Sequence, residues 1–452
     1  MASNHSTLMT EGSIQKKLIA FAIPLFLGNL FQQLYNTADS LIVGNFLGSE
    51  ALASVSSSGN LIFLMVGFFN GIAMGAGVVI ARYFGARDSE NMQKAIHTIV
   101  AFGIVGGLAL TALGVWLAPH MLIWMGTPED ILAGSTLYFR IYFLGSLPFV
   151  LYNCCVGILQ SVGDSRHPLY YLILSSIVNI VLDLLFIGVF HMGVGSAAAA
   201  TVISHFVSAI MCFCKLLRAP EEYRVVLKKI RFHRFQLKQI VYNGLPTGFQ
   251  NSITAFANVV VQSNINSFGK MAVAGQGAYS KIEGFAFLPI TCFAMALTTF
   301  ISQNLGAKQY DRAKKGAKFG AFCSIILAES IGLIIILLAP QLMALFDSTA
   351  EVVAFGAGRA RICGWFFCFL ALTHCMAGIM RGAGRPMVSM MIMMVCWCLI
   401  RVTFITITIH FIPSINVVNW AYPLTWFLSS VVFLFYFFKG DWIHGHGVKT
   451  ES

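Results

Sequence analysis

Two carboxylates stand in stretches where carboxylates are scarce. Asp39 ends a polar stripe, Gln32, Tyr35 and Asn36, that recurs at three- and four-residue steps along one apolar segment. Asp183 follows Asn179 by four residues in another, so both side chains point from one helix face. An acid at mid-membrane depth costs at least ~2.5 kcal/mol on insertion scales, which makes each of these a functional candidate. A third segment repeats the four-residue step in Ala197 and Thr201, within Gly193-Val-Gly-Ser-Ala-Ala-Ala-Ala-Thr201. Small residues of this kind let helices approach closely and leave room for an ion. If the three faces converge, oxygens from Asp39, Asn179, Asp183 and Thr201 surround a hard cation such as Na+. The same cluster can instead hold protons, because low dielectric disfavours the charged form of a carboxylate. A local hydrogen bond near a helix end is the competing role for Asp39.

The elements that must hold these groups are membrane helices. Hydrophobic residues make up 57% of the chain and charged ones 10%, with mean hydropathy +0.77. A soluble domain carries roughly a quarter of its residues charged, so most of this surface faces lipid. Segments of about 20 apolar residues, the length that spans a bilayer as helix, recur throughout. The pattern predicts twelve spans, at about 16–45, 52–81, 95–118, 132–159, 168–190, 195–215, 238–266, 272–303, 317–340, 352–380, 387–410 and 418–438. Met1–Gln15 is polar and lacks an apolar h-region, so no cleavable signal peptide is expected. Basic residues such as Arg82, Arg87, Lys94, Lys308 and Lys315 crowd alternate gaps, and Glu129, Asp130, Asp347 and Glu351 fall in the others. This asymmetry predicts an inner (plasma) membrane protein with both termini in the cytoplasm. The net charge of +11 is then a topology signal with an attraction to anionic lipid headgroups, and no nucleic-acid partner is expected. The 11 cysteines lack zinc-site spacing and read as packing residues.

The chain also copies itself. Ile80-Ala-Arg-Tyr-Phe-Gly-Ala-Arg87 aligns with Ile301-Ser-Gln-Asn-Leu-Gly-Ala-Lys308, and at the same offset Arg140 meets Arg361, Cys154 meets Cys375, Gly157 meets Gly378 and Gly163 meets Gly384. One residue off that register, Pro24 meets Pro246 and Asn36 meets Asn258. The fold class that follows is an all-α membrane protein of twelve transmembrane helices in two six-helix pseudo-symmetric lobes. The lobes are expected at 1–215 and 238–452, joined by a basic linker at 216–237. Six helices per copy is an even number, so the copies share orientation, a plan common among secondary transporters. The second copy lacks the acids: Val261 sits opposite Asp39, and Arg401 falls near the place of Asp183. The coupling chemistry is therefore expected in the first lobe. Of the remaining acids, Glu283 invites a local ion pair or a place on the path, and Glu329 a structural pairing or a lumen position. The matched arginines Arg140 and Arg361 suggest a structural role, bonding carbonyls or a neighbouring helix.

These motifs together resemble the multidrug and toxic compound extrusion (MATE) transporters, over about residues 16–438. The resemblance rests on Pro24 with Asp39, on Ile80–Arg87 and Ile301–Lys308, on Gly157-Ile-Leu-Gln-Ser-Val-Gly-Asp164 and Gly378-Ile-Met-Arg-Gly-Ala-Gly384, and on Asn179 with Asp183. It implies a cation-coupled antiporter, driven by H+ or Na+, that exports amphipathic, often cationic compounds by alternating access. It implies that Asp39, Asn179, Asp183 and Thr201, with the Ala197 backbone, form the ion-coupling site. Gln32, Tyr35 and Asn153 match positions lining the substrate cavity, and Asn36 of the same stripe is placed with them. No cofactor other than the coupling ion is expected, and the partners are small amphipathic molecules and membrane lipids around a monomer. The other bacterial branch carries a glutamate in its seventh helix and an aspartate in its tenth; here Pro246-Thr-Gly-Phe-Gln-Asn-Ser-Ile-Thr254 has no acid, which argues against an ion site in the second lobe. A lipid-linked oligosaccharide flippase of the same superfamily is the nearest alternative, although the central acids disfavour a cavity for phosphates. A channel or a membrane-embedded enzyme is the alternative from another class. No H-E-x-x-H pairing and no Gly-x-Ser-x-Gly elbow is present to support an enzyme.

Overall fold

In lipid a backbone has no hydrogen-bond partner but itself, so uniformly apolar segments of this length fold as helices. The computed structural model describes residues 8–47, 49–124 and 129–444 and, among these, all side chains except those at 40, 41, 44 and 49–66. The first and last residues of the expected lobes, 1–7 and 445–452, lie outside the described residues.

The first half opens with α1 (Ile14–Leu47), α2 (Ser49–Ala86) and α3 (Ser89–Trp124). The fourth span is the pair α4 (Glu129–Leu144) and α5 (Ser146–Ser161), bent by 48° at Gly145. The fifth is α6 (Arg166–Asp183), continued by a π-helical segment, Leu184–Val189, and the sixth is α7 (Val194–Leu217). The second half follows the same plan with α8 (Arg234–Asn266), α9 (Lys270–Gly306), α10 (Tyr310–Leu337) and a short α11 (Ala339–Ala344). Its fourth span is α12 (Ala350–Cys363), a 3-10 turn and α13 (Phe367–Gly382). Its fifth is α14 (Pro386–Met393), a π-helical segment, Met394–Ile400, and α15 (Arg401–Phe411); α16 (Ile415–Lys439) is last. The twelve expected spans are thus present in order. The fourth and fifth of each half are the broken ones, a regularity the apolar pattern did not announce.

The internal repeat survives as geometry. Arg87 and Lys308, aligned in the sequence, both have φ of 57°, and Gly163 and Gly384 have φ of 88° and 75°. In each case the next residue's N–H closes a wide turn: Asp88 to the Tyr83 carbonyl (3.0 Å) and Gln309 to the Asn304 carbonyl (2.8 Å). Asp164 to Leu159 (2.9 Å) and Arg385 to Met380 (2.8 Å) repeat the pattern after the fourth span of each copy. This left-handed cap satisfies the last helical carbonyls and turns the chain into the next span. A side chain in that conformation costs about 1–2 kcal/mol. Gly163→Ala is therefore expected to lower stability by about 1 kcal/mol, read as a drop in melting temperature of the purified protein.

By contact density the chain forms two units, Leu27–Leu245 and, with Met9–Phe26, Pro246–Lys449. The divisions fall inside α1 and α8, close to the matched prolines Pro24 and Pro246. Within the first unit the basic segment between α7 and α8 is held against α3. The Gln93 amide donates to the carbonyls of Glu221, Glu222 and Arg224 (2.9, 2.9 and 3.2 Å), and His97 Nε2 accepts the Val226 N–H at 3.0 Å. Within the second unit Arg312 donates to the carbonyls of Met9, Glu11 and Gly12, and Gln303 accepts the Met9 N–H at 2.8 Å.

Candidate functional site: a buried acid pair in the first unit

Three helices meet at the predicted cluster, each for a local reason. α7 starts after Gly193 with Gly195, Ala197, Ala198 and Ala200 all buried, and residues this small let α6 come close. Thr201 satisfies its hydroxyl by donating to the Ala197 carbonyl one turn back, at 3.1 Å. On α6, Asn179 and Asp183 are fully buried, one turn apart. The Asn179 amide donates to Asp183 Oδ2 at 2.9 Å, and its carbonyl accepts the Thr201 N–H at 3.2 Å. α6 passes into the π-helical segment directly after Asp183, and π turns inside α-helices mark functional positions often.

α1 supplies the other acid. The Asp39 and Asp183 carboxyls face each other, and the Tyr35 hydroxyl, one turn earlier on α1, faces Thr201. One oxygen of each, Asp39 Oδ1 and Asp183 Oδ1, is buried with no hydrogen-bond partner among the described residues. A proton or a small cation is the partner that two such oxygens fit, and the donor set of carboxylate, amide, hydroxyl and carbonyl oxygens is that of a hard ion.

Asp39, Asn179, Asp183, Ala197, Thr201 and Tyr35 thus share one cluster. Gln32 and Asn36 are exposed on α1, and the half-buried Asn153 donates to the Phe149 carbonyl of its own helix at 2.8 Å. Sequence reasoning missed the aromatic wall. Tyr138 and Tyr142 stack at 6.4 Å and pack with Val43, Ile187, Ala197 and Ala198 around the acids. Their four-residue spacing in span four was the available signal. His205 continues the wall, its ring 6.3 Å from Tyr142 and 5.2 Å from Phe149.

Other polar residues resolve differently. Glu283 accepts the Tyr279 hydroxyl (3.3 Å) and faces Arg359 (3.7 Å), while its sequence neighbour Lys281 lies over the Phe346 ring. Glu329 accepts the Cys368 N–H at 2.9 Å and so serves the start of α13. Arg140 and Arg361, expected to be bonded into the structure, are exposed; the buried arginines of α12 and α15 are Arg359 and Arg401. The reason is helical phase: two residues further along a helix is more than half a turn, which carries the side chain to the other face. His374 is packed between Phe287 and Trp397, at 4.7 and 5.3 Å. None of the 11 cysteines is in a disulfide, and among the described residues no group of three or more His, Cys, Asp or Glu forms a metal cluster.

Two repeated six-span units, the first of which holds an acid cluster, define a multi-span membrane transporter. The family model MatE matches twice, at residues 24–185 and 246–407, and the chain belongs to that family. The two matches are offset by the register that aligned Pro24 with Pro246. Probable multidrug resistance protein YoeA of Bacillus subtilis is 27% identical over 396 residues, covering 85% of each chain. Probable multidrug resistance protein YpnP of the same organism is 25% identical over 435 residues, covering 96% of this chain and 97% of its own. A solved outward-facing structure of a multidrug resistance MATE family transporter of the MOP superfamily superposes with a TM-score of 0.92 at 22% identity, over 98% of this chain and 99% of that one. That likeness establishes the fold.

Proposed function

We propose that this protein is a cation-coupled antiporter of the plasma membrane, exporting amphipathic, often cationic compounds by alternating access. The observation that carries the reading is the pair of the half-buried Asp39 and the fully buried Asp183, with one orphaned buried oxygen on each. Asn179 and Thr201 complete the oxygen set, and the Ala197 carbonyl orients the Thr201 hydroxyl. Binding of H+ or Na+ shifts the transporter between states only by its differential affinity for them. An acid pair that shares a proton in one state and separates in the other supplies that difference. Gln32, Tyr35, Asn36 and Asn153 are assigned to the substrate path, and 1–215 and 238–452 to the two moving lobes with both termini cytoplasmic. The relatives named as multidrug resistance proteins support a broad small-molecule substrate range.

The test is export of a fluorescent cationic dye, followed in pump-deficient cells and in everted vesicles with a proton or a sodium gradient imposed separately. Transport driven by one gradient and abolished by collapsing it is expected, and it names the ion. Dye movement indifferent to both gradients would overturn ion coupling.

A further inference from the structure

The second unit repeats the frame of the acid site with the charge reversed. The family match in that unit begins 222 residues after the first, from 24 to 246, and this offset carries Asn179 onto Arg401. On α16, Ala421 and Thr425 keep the four-residue step of Ala197 and Thr201: the Thr425 hydroxyl donates to the Ala421 carbonyl at 2.9 Å. Arg401 Nε and Nη2 both donate to that hydroxyl, at 3.0 and 2.7 Å. In the second copy that hydroxyl serves a guanidinium.

A second arginine lies close by. The guanidinium carbons of Arg359 and Arg401 are each 4.3 Å from the Tyr422 ring centroid, so the two charges are no more than about twice that distance apart. Both residues are 3% exposed. Arg359 Nη1 donates to Gln276 at 2.6 Å, and Glu283 stands 3.7 Å from its Nη2. Glu283 is the one carboxylate paired with either arginine among the described residues. Arg401 has a hydroxyl and the faces of Tyr422 and Trp397, and Arg359 Nε is buried with no hydrogen-bond partner among the described residues.

Two buried positive charges thus share one negative charge. Cation–π contacts attract a guanidinium but cancel none of its charge. An uncompensated charge inside a membrane-spanning bundle is strongly disfavoured, so the two arginines favour a second negative group beside them. The planar guanidinium fork matches carboxylate and phosphate oxygens two at a time, which selects the kind of anion. Tyr422 and Glu283 are half-buried, so the cluster is open along their edge.

We propose that Arg359 and Arg401 form an anion-binding subsite in the second unit that takes the carboxylate or phosphate group of an amphipathic molecule, with Tyr422 and Trp397 as its aromatic walls. The inference goes beyond the export reading and does not depend on it. Titration calorimetry of the purified protein with phenyl phosphate, and separately with benzoate, tests it, with chloride as the competing simple anion. Binding of one of these probes by wild type is expected, weakened at least about tenfold by Arg401→Gln and by Arg359→Gln, the loss of a charge-assisted hydrogen bond. Arg401→Lys, which keeps the charge and loses the fork, is expected to bind between the two. Melting temperatures of the same samples show that each variant is folded. Repeating the titration in phosphatidylcholine nanodiscs with and without phosphatidylglycerol identifies the source: competition by phosphatidylglycerol assigns the oxyanion to a lipid headgroup, and none assigns it to a free solute. The Asp183→Asn variant is expected to keep probe binding while losing gradient-driven dye export, so failure of one reading is visible apart from the other. No binding of either probe by well-folded wild type, binding matched by chloride, or binding unchanged in both glutamine variants would overturn the proposal.

Discussion

Asp183→Asn is expected to reduce gradient-driven dye export to the background of vesicles lacking the protein, a loss of tenfold or more. The amide is nearly isosteric with the carboxyl and can still meet Asn179 and Asp39, so the helices keep their packing and the protein folds. What disappears is the second group able to gain or lose a proton, and with it one of the two carboxylates a sodium ion would need. A charge-assisted hydrogen bond is worth about 1.5–3 kcal/mol, and each 1.4 kcal/mol is about tenfold in an equilibrium constant. The coupling ion then loses about ten- to a hundredfold in affinity for the state that binds it, and its power to shift the conformational equilibrium falls with it. Asp39→Asn should act in the same way because the two acids form one unit. The double variant should then be no worse than either single one, since residues that act together are not additive. Initial rates of dye movement under an imposed gradient, with protein levels matched, give the comparison. Full export by the double variant would remove the coupling role from this pair.

Much of this site is legible in the order of its residues. A four-residue step fixes a common helix face, so Asn179 with Asp183 and Ala197 with Thr201 were legible as pairs, and rarity in lipid marked the acids. The repeat was legible too, down to Arg87 and Lys308, because a left-handed cap after a helix is a local property of a few residues. What packing decides stayed hidden. Arg361 drew attention because it aligns with Arg140, yet Arg359 is the buried one; a helix apolar on every side does not show which face turns inward. The π-helical segments beside Asp183 and Arg401 come from the wider bundle and leave no residue signature. The segment at 216–237 reads from its charge as a basic linker and no more. Its attachment depends on Gln93, His97 and Thr98, which belong to no motif and lie more than a hundred residues away in the chain. The charge reversal between the lobes was half legible, since Arg401 was noticed where an acid was missing, but its companion Arg359 was not.

The largest expected effect on stability falls on a glycine of the repeat. Gly157 and Gly378 are aligned copies, and each faces the carbonyl of an aligned alanine, Ala73 on α2 and Ala294 on α9. The two crossings are not equally tight. A Cβ on Gly157 would stand 3.1 Å from the Ala73 oxygen, a gap that a small shift relieves. A Cβ on Gly378 would collide with the Ala294 oxygen and crowd its carbonyl carbon as well, and neither backbone can turn aside as a side chain would. The Thr298 hydroxyl, which donates to the Gly378 carbonyl at 3.0 Å, ties the same crossing together. Replacing a mid-helix glycine by alanine favours the helix by about 0.5–1 kcal/mol, which offsets the modest crowding at Gly157. Gly157→Ala is therefore expected to leave the melting temperature nearly unchanged. Overpacking a tight interior costs about 1–3 kcal/mol, so Gly378→Ala should be clearly destabilised. Gly378→Val adds a branched side chain to a crossing with no space, and should lose about 3 kcal/mol or fail to accumulate in the membrane. Thermal melting of the purified variants in one detergent ranks them. Equal losses at the two positions would mean that α2–α5 and α9–α13 pack at the same distance, and that the repeat is closer to symmetric than its two glycines indicate.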